Sequence, residues 1–252
     1  MTQSTVDTPQ LSGAFDTERH RRKVALAATL RLFAANGYEF GFNGHLTVRD
    51  PEHPDLYWAN PWKLPFGRVK ASDLLLVTSA GAIISDHPGA QVSGFASQKI
   101  LHDARPDAEA VVHVHSPYGF AFSAAPRLLD PINTDSALIH GLQAIHHDFG
   151  KDQVESPKPN TTADSLGATA KVLIQKNHGF ITIGASVEEA AFYFLAAERA
   201  AKAQLVIEAA GQAPQLVASP ALEKFVLTPE LAEEHFAPLL EQILHDQPDV
   251  AQ

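Results

Sequence analysis

The sequence predicts one α/β domain, with a mixed or antiparallel sheet covered by helices, and three observations carry that prediction. Strand-like and helix-like segments are interleaved along the chain between residues 17 and 210. Several strand pairs stand too close together for the long crossover that parallel neighbours require. No Ser/Gly-rich stretch or charge run divides the 252 residues, 45% of them apolar, so one sizeable core is expected. The domain is expected to span residues 15–252, after a disordered leader over residues 1–14.

Each element follows from its local pattern. "TERHRRKVALAATLRLFAAN" (17–36) sets Leu26, Leu30 and Phe33 at helical spacing before a stop at Gly37, and reads as a surface helix. "HLTVRD" (45–50) alternates as a strand and is broken by Asp50-Pro51. "DLYWAN" (55–60) and "LLLVTSAGAIIS" (74–85) add strand segments, the second with a Gly turn inside it. Residues 93–104 read as helix, 110–115 as strand and 117–124 as a short helix. A poorly ordered stretch with Pro157 and Pro159 precedes a helix begun by "TTADSLGATA", capped by Thr161 or Thr162. "KVLIQKN" and "FITIG" are strands around a His-Gly turn. Residues 186–209 form a long helix, Ala-rich, acidic at its start and free of Gly and Pro. A Pro-punctuated tail (212–252) holds two shorter helices.

Composition narrows the function. With 29 acidic against 19 basic residues the formal net charge is −10, which disfavours nucleic acid and anionic membranes as partners and leaves small molecules. There is no cysteine, so disulfides and thiolate metal sites are excluded, and any metal must sit on His, Asp or Glu. The first residues lack the apolar core of a secretory signal, and no run approaches the roughly 18 apolar residues of a spanning helix. A cytoplasmic protein is expected.

The chemistry-bearing stretch is "AVVHVHSPYG" (110–119). In a strand, His113 and His115 share a face while Val112 and Val114 enter the opposite layer. That spacing suits two ligands of one ion, and equally a hydrogen-bonded core histidine beside a surface one. "QKNHGF" (175–180) adds His178 at a tight turn between two apolar strands, well placed to complete a set of three imidazoles.

"RPDAEAVVHVHSPYGFAFSA" followed by "VLIQKNHGFITIGASVEEAAF" resembles the class II aldolase/adducin family, over about residues 20–210. The resemblance implies a three-layer α/β/α domain around a mostly antiparallel sheet. It also implies a homo-oligomer, commonly a tetramer with active sites between subunits, and His113, His115 and His178 as ligands of a divalent metal (Zn, Mn or Fe). The departures from the family pattern are informative. Registered on Arg105-Pro106-Asp107, the family's acidic ligand and proton carrier is replaced by Gly94 in "VSGFASQK", with Gln98 where a His is usual. The Gly-Asn-x-Ser phosphate turn is matched by Gly44-His45-Leu46-Thr47. Phosphorylated sugars are therefore not expected as substrates, although Thr47, Ser79, Gly81 and Ser93 retain hydroxyl and backbone donors for an anion. "LYWANPWKLPFGRVK" (56–70) places Trp58, Trp62 and Phe66 among Lys63, Arg68 and Lys70. It either lines a pocket for an aromatic carboxylate, with Trp58 and Arg68 as binding residues, or clamps a surface loop onto the core.

A divalent ion on three neutral imidazoles stabilises an enolate, which serves aldol cleavage and decarboxylation alike. The expected activity is that of a carbon–carbon lyase acting on a small hydroxylated or aromatic carboxylic acid. With the family's acidic residue absent, His45, His102, Tyr118, Asp135 and His140 are the candidates for proton transfer. His102 also reads as a packed helix residue. Two other readings stand beside the lyase. One is a non-haem Fe(II) oxygenase acting on an aromatic 2-oxo or 2-hydroxy acid, since enzymes of aminocoumarin biosynthesis resemble this family. The other is an adducin-like scaffold without catalysis, against which the retention of three imidazoles counts.

Overall fold

Strand β4 (Ala110–Val114) is buried at all five positions and lies at the centre of the sheet in a computed structural model that describes residues 11–148 and 161–252. Around it lie β1 (Gly44–Arg49), β2 (Leu56–Ala59), β3 (Leu75–Thr78), β5 (Gln143–His146), β6 (Val172–Gln175) and β7 (Gly179–Gly184). The seven strands run in the order β3-β2-β1-β4-β7-β6-β5. All neighbours are antiparallel except β5 and β6, so the sheet is mixed and mostly antiparallel, as expected.

Strand alternation divides the core into two layers. Leu46, Val48, Trp58, Leu76, Val112, Val114 and Phe180 face α1 (Asp16–Ala35), α3 (Pro117–Ser123) and α6 (Val187–Ala209). Val111, Leu173, Ile181 and Ile183 face α2 (Phe95–Ala104) and the single turn α5 (Thr162–Leu166). This gives the α/β/α sandwich. The remaining α-helices among the described residues are the single turns α4 (Thr134–Ala137) and α7 (Ser219–Leu222), and α8 (Pro229–Asp246), which lies over α1 and α6. The long helix α6 begins where Ser186 accepts a hydrogen bond from the Glu189 amide at 3.1 Å.

The structure corrects three expectations. The helix over 17–36 is not a surface helix: Ala25 to Phe33 are all buried, because α8 and the C-terminal turn close over the side away from the sheet. Arg31, on that side, is satisfied by Asp249 at 2.8 and 2.9 Å and by the Val69 carbonyl at 2.8 Å. Of the leader expected over 1–14, residues 1–10 lie outside the described residues. Residues 11–14 belong to the fold, with Leu11 packed on the core and the Ser12 amide donating to Glu52 at 2.9 Å. Strand β5 was not expected as an element, and the stretch with Pro157 and Pro159 lies outside the described residues.

Candidate metal centre

The antiparallel register of β4 fixes the first imidazole. His113 faces the α2 layer opposite His45 of β1 and Ile181 of β7. Its Nδ1 lies 2.8 Å from the Phe180 carbonyl, and a carbonyl can only accept, so Nδ1 carries the hydrogen and Nε2 keeps its lone pair. That Nε2 is buried and has no hydrogen-bond partner among the described residues. A buried acceptor of this kind is costly unless a ligand meets it.

His115 follows β4 directly, where Ser116 and Pro117 open α3. His178 sits in the β6–β7 turn, which needs a left-handed residue and obtains it from Asn177 at φ 58°. The turn is tied to the end of α3, since the Asn177 amide donates to the Ser123 carbonyl and the Gly179 amide to the Ser123 hydroxyl, both at 2.9 Å. The His178 ring stacks on His113 with centroids 4.9 Å apart and meets His115 edge-on at 4.8 Å. One nitrogen from each of the three rings lies within 4.8 Å of the others.

Burial pushes the basicity of all three imidazoles down, with neighbouring rings adding to it for two of them. His113 is held well below the usual range by burial and then by His45 and His178. His115 falls to about 4 through burial and then His178, and burial alone lowers His178. All three are therefore neutral at pH 7, the state a metal ion requires of its imidazole ligands, and the residues fit a divalent cation.

Glu198, which the sequence reading missed, anchors this arrangement. It projects from α6 with only 2% exposure and accepts from the Ser116 hydroxyl at 2.7 Å, the Tyr118 amide at 2.8 Å and the Gly119 amide at 2.6 Å. These donors form the first turn of α3, immediately after His115. Burial pushes the Glu198 carboxyl up while the three donors pull it down. Its sequence signal is a carboxylate on the helical stripe Ala191, Phe194, Glu198, Ala201, an apolar face that should carry no unpaired charge.

Of the five proton-transfer candidates, only His45 lies beside the cluster. Its ring centroid is 5.0 Å from that of His113, and burial, followed by His178 and His115, lowers it to about 3. His102 is corrected to a packing residue, since its Nε2 meets the Thr47 hydroxyl at 2.8 Å and its Nδ1 the Ala108 carbonyl at 2.6 Å. The same contact occupies Thr47. The Tyr118 ring is turned to α6, under Lys202 at 5.2 Å. Asp135 accepts from Arg199 of α6 at 2.7 and 2.8 Å, and His140 is exposed just beyond α4.

The aromatic loop divides in the same way. Trp58 pairs with Val48 on the face opposite His113, buried with its Nε1 on Asp50 at 2.9 Å, and Arg68 is exposed on a 3-10 turn packed against α1. Strand alternation removes Trp58 from the imidazole side, and the packing of the 3-10 turn on α1 removes Arg68. Phe66 is likewise core, which supports the clamp reading for this part of the loop. Trp62 is different: it lies edge-on to Phe42 at 5.3 Å and lines a cavity of about 750 Å³ with Gly81, Ile83, Val92, Ser93 and Gly94. Ser79 is engaged with the Asp55 carbonyl at 2.9 Å. A second cavity of about 650 Å³ opens beside His115, walled by Phe40, Pro117 and Phe120.

A profile described as the class II aldolase and adducin N-terminal domain matches residues 24–205. The chain belongs to this family. The class II aldolase fold is borne out by the solved structure of an L-fuculose 1-phosphate aldolase from Glaciozyma antarctica PI12, with TM-score 0.86, 31% identity and 97% of each chain covered. Two relatives are 33% identical over 248 residues, 94% of this chain. One is decarboxylase NovR of Streptomyces niveus, covered to 90%. The other, covered to 88%, is 4-hydroxy-3-prenylphenylpyruvate oxygenase/4-hydroxy-3-prenylbenzoate synthase of Streptomyces roseochromogenus subsp. oscitans. No described helix of this class II aldolase/adducin member is long and apolar enough to cross a membrane.

Proposed function

We propose that this chain is a divalent-metal-dependent carbon–carbon lyase, an aldolase or decarboxylase, acting on a small hydroxylated or aromatic carboxylic acid. The observation that carries the reading is the buried Nε2 of His113, without a hydrogen-bond partner among the described residues and fixed in its lone-pair form by Phe180, beside His115 and His178. An abandoned site has no need of such an atom. Family membership, and the names of a decarboxylase and an aldolase among its relatives, support the same class.

His113, His115 and His178 would hold the ion, whose chemistry is Lewis-acid stabilisation of charge developing on a substrate oxygen as a carbon–carbon bond breaks. The chain's own residues do the rest. Phe180 fixes the His113 tautomer, and Glu198 and Ser123 hold the loops that carry His115 and His178. His45 faces the reacting region and is the residue proposed to exchange a proton with substrate. We further propose a homotetramer with the site near a subunit boundary, small molecules as its only ligands, and a cytoplasmic location.

Purification without added metal, followed by metal analysis and assays with aromatic 2-oxo and 2-hydroxy acids, tests the reading. Zinc or manganese with release of CO₂ or aldehyde supports it. Stoichiometric iron with O₂ consumption replaces it with the oxygenase reading, which the second Streptomyces relative favours. No bound metal and no turnover would leave the adducin-like scaffold. A monomer by light scattering at micromolar concentration would refute the tetramer.

A further inference from the structure

Gly94 opens α2 at φ 65°, a left-handed conformation that disfavours any side chain. Space forbids one as well. A Cβ placed on Gly94 would lie 2.1 Å from Cε1 of His45 and 2.3 Å from both of its ring nitrogens. The imidazole of His45 thus occupies the volume that a side chain at 94 would fill. Its backbone is clamped at that point, paired with His113 across β1 and β4, with its carbonyl accepting from Gln98 Nε2 at 2.6 Å. Gln98 lies in the first turns of α2, so strand and helix are locked together where ring and glycine meet.

The ring stands between two features. On one side is His113, and on the other Gly94 forms part of the cavity that also has Trp62, Ile83 and Val92 in its wall. The residues lining that cavity carry no charge, and the adjacent Lys63 lies over the Trp62 ring at 4.0 Å. Trp62, Ile83 and Val92 offer surface to a ring or an alkyl group, Gln91 and Ser93 add neutral polar groups, and no cation in the wall neutralises a phosphate. A carboxylate at 94 would be an acceptor bearing a charge next to an acidic substrate. An imidazole in the same place presents a donor on one nitrogen and an acceptor on the other.

We infer that His45 and Gly94 form one specificity-determining pair: the imidazole, standing in the space of a residue-94 side chain, holds a polar group of the substrate at the metal face, and the cavity beyond takes an uncharged aromatic or apolar end. This deepens the proposed lyase reading and rests on it for the reaction, while the pairing itself rests on sterics.

The test uses zinc-loaded protein, with calorimetric binding of mandelate, an aromatic 2-hydroxy acid, and of phosphoglycolate. Variants are Gly94→Ala, His45→Gly, the double variant, and Gly141→Ala, whose φ of 78° and open surroundings control for backbone cost alone. Every variant should retain stoichiometric zinc. Gly94→Ala and His45→Gly should each weaken mandelate binding tenfold or more, whereas Gly141→Ala should not. The double variant should be no weaker than His45→Gly, because the added methyl meets no ring. Free imidazole at millimolar concentration should restore binding to His45→Gly and not to the double variant. The parent should bind phosphoglycolate at least tenfold more weakly than mandelate. Parent-like binding by Gly94→Ala, additive losses in the double variant, a preference for phosphoglycolate, or no mandelate binding by the parent would overturn the inference. Absence of turnover with the non-additive pattern intact would sink the lyase reading and leave the pair standing.

Discussion

Glu198→Ala removes, in one step, the common acceptor of three donors on the first turn of α3. The Ser116 hydroxyl and the Gly119 amide are buried, and the Tyr118 amide partly so. An unsatisfied buried donor costs about 1–3 kcal/mol, so three of them set a scale of roughly 3–9 kcal/mol. Two effects reduce it: the hydroxyl can rotate to another acceptor, and the variant no longer has to bury a carboxylate whose ionisation burial opposes. A net loss of about 2–4 kcal/mol is expected, a large fraction of a typical domain's ~5–15 kcal/mol. Because the freed turn begins at the residue after His115, metal affinity should also fall, by roughly 10–100-fold as for other groups that orient ligands from outside the coordination sphere. Urea unfolding of the metal-free protein gives the first quantity, and competition with a chromogenic chelator gives the second. Glu198→Gln, which keeps one acceptor oxygen but brings an amide donor toward three donors, should fall between parent and Ala in stability. If Glu198→Ala unfolds within about 0.5 kcal/mol of the parent and holds metal equally well, Glu198 does not anchor the loop.

His178→Ala should lose most of its bound metal while keeping its far-ultraviolet dichroism, and full metal content by elemental analysis would exclude His178 from the ligand set. The metal-free protein should lose stability on mild acidification. Burial holds His113, His115, His178 and His45 below the ordinary imidazole value of about 6.5, so the unfolded chain binds more protons, and stability present above about pH 6.5 is lost as pH falls, through about 4 for His115 and about 3 for His45. A urea midpoint that stays level or rises between pH 7 and pH 5 would contradict this. Gly184→Ala should destabilise by about 1–3 kcal/mol without changing metal content, since a Cβ there would lie 2.6 Å from the Ala190 amide nitrogen where β7 meets α6. An unchanged melting temperature would show that this junction yields.

Local pattern alone determined much of this protein. The period of two in "AVVHVH" assigns His113 to one face and Val112 and Val114 to the other. The apolar run marks a strand over 110–115, and the Ala-rich stretch 186–209 marks the long helix. Those are short-range facts, set by pleat and helical repeat. What stands across from each residue is set by partners far along the chain, and the sequence is silent on it. His102 could not be separated from a catalytic histidine until Thr47 and Ala108 were seen at its two nitrogens. Trp58 stood equally as pocket lining or as a clamp until the β1–β2 register turned it to the α1 layer. The helix over 17–36 showed one apolar stripe, and its burial on other sides depends on α8 and the C-terminal turn closing over it. Strand β5 is a short edge strand whose only strand partner among the described residues is β6, and four residues hold too few alternations to register as a period. Gly94 looked like a plain loss of a carboxylate until its missing side chain proved to be the space in which His45 lies. Residue types and spacing name the groups able to do chemistry; only packing decides which of them still have a free atom pointing at the same place.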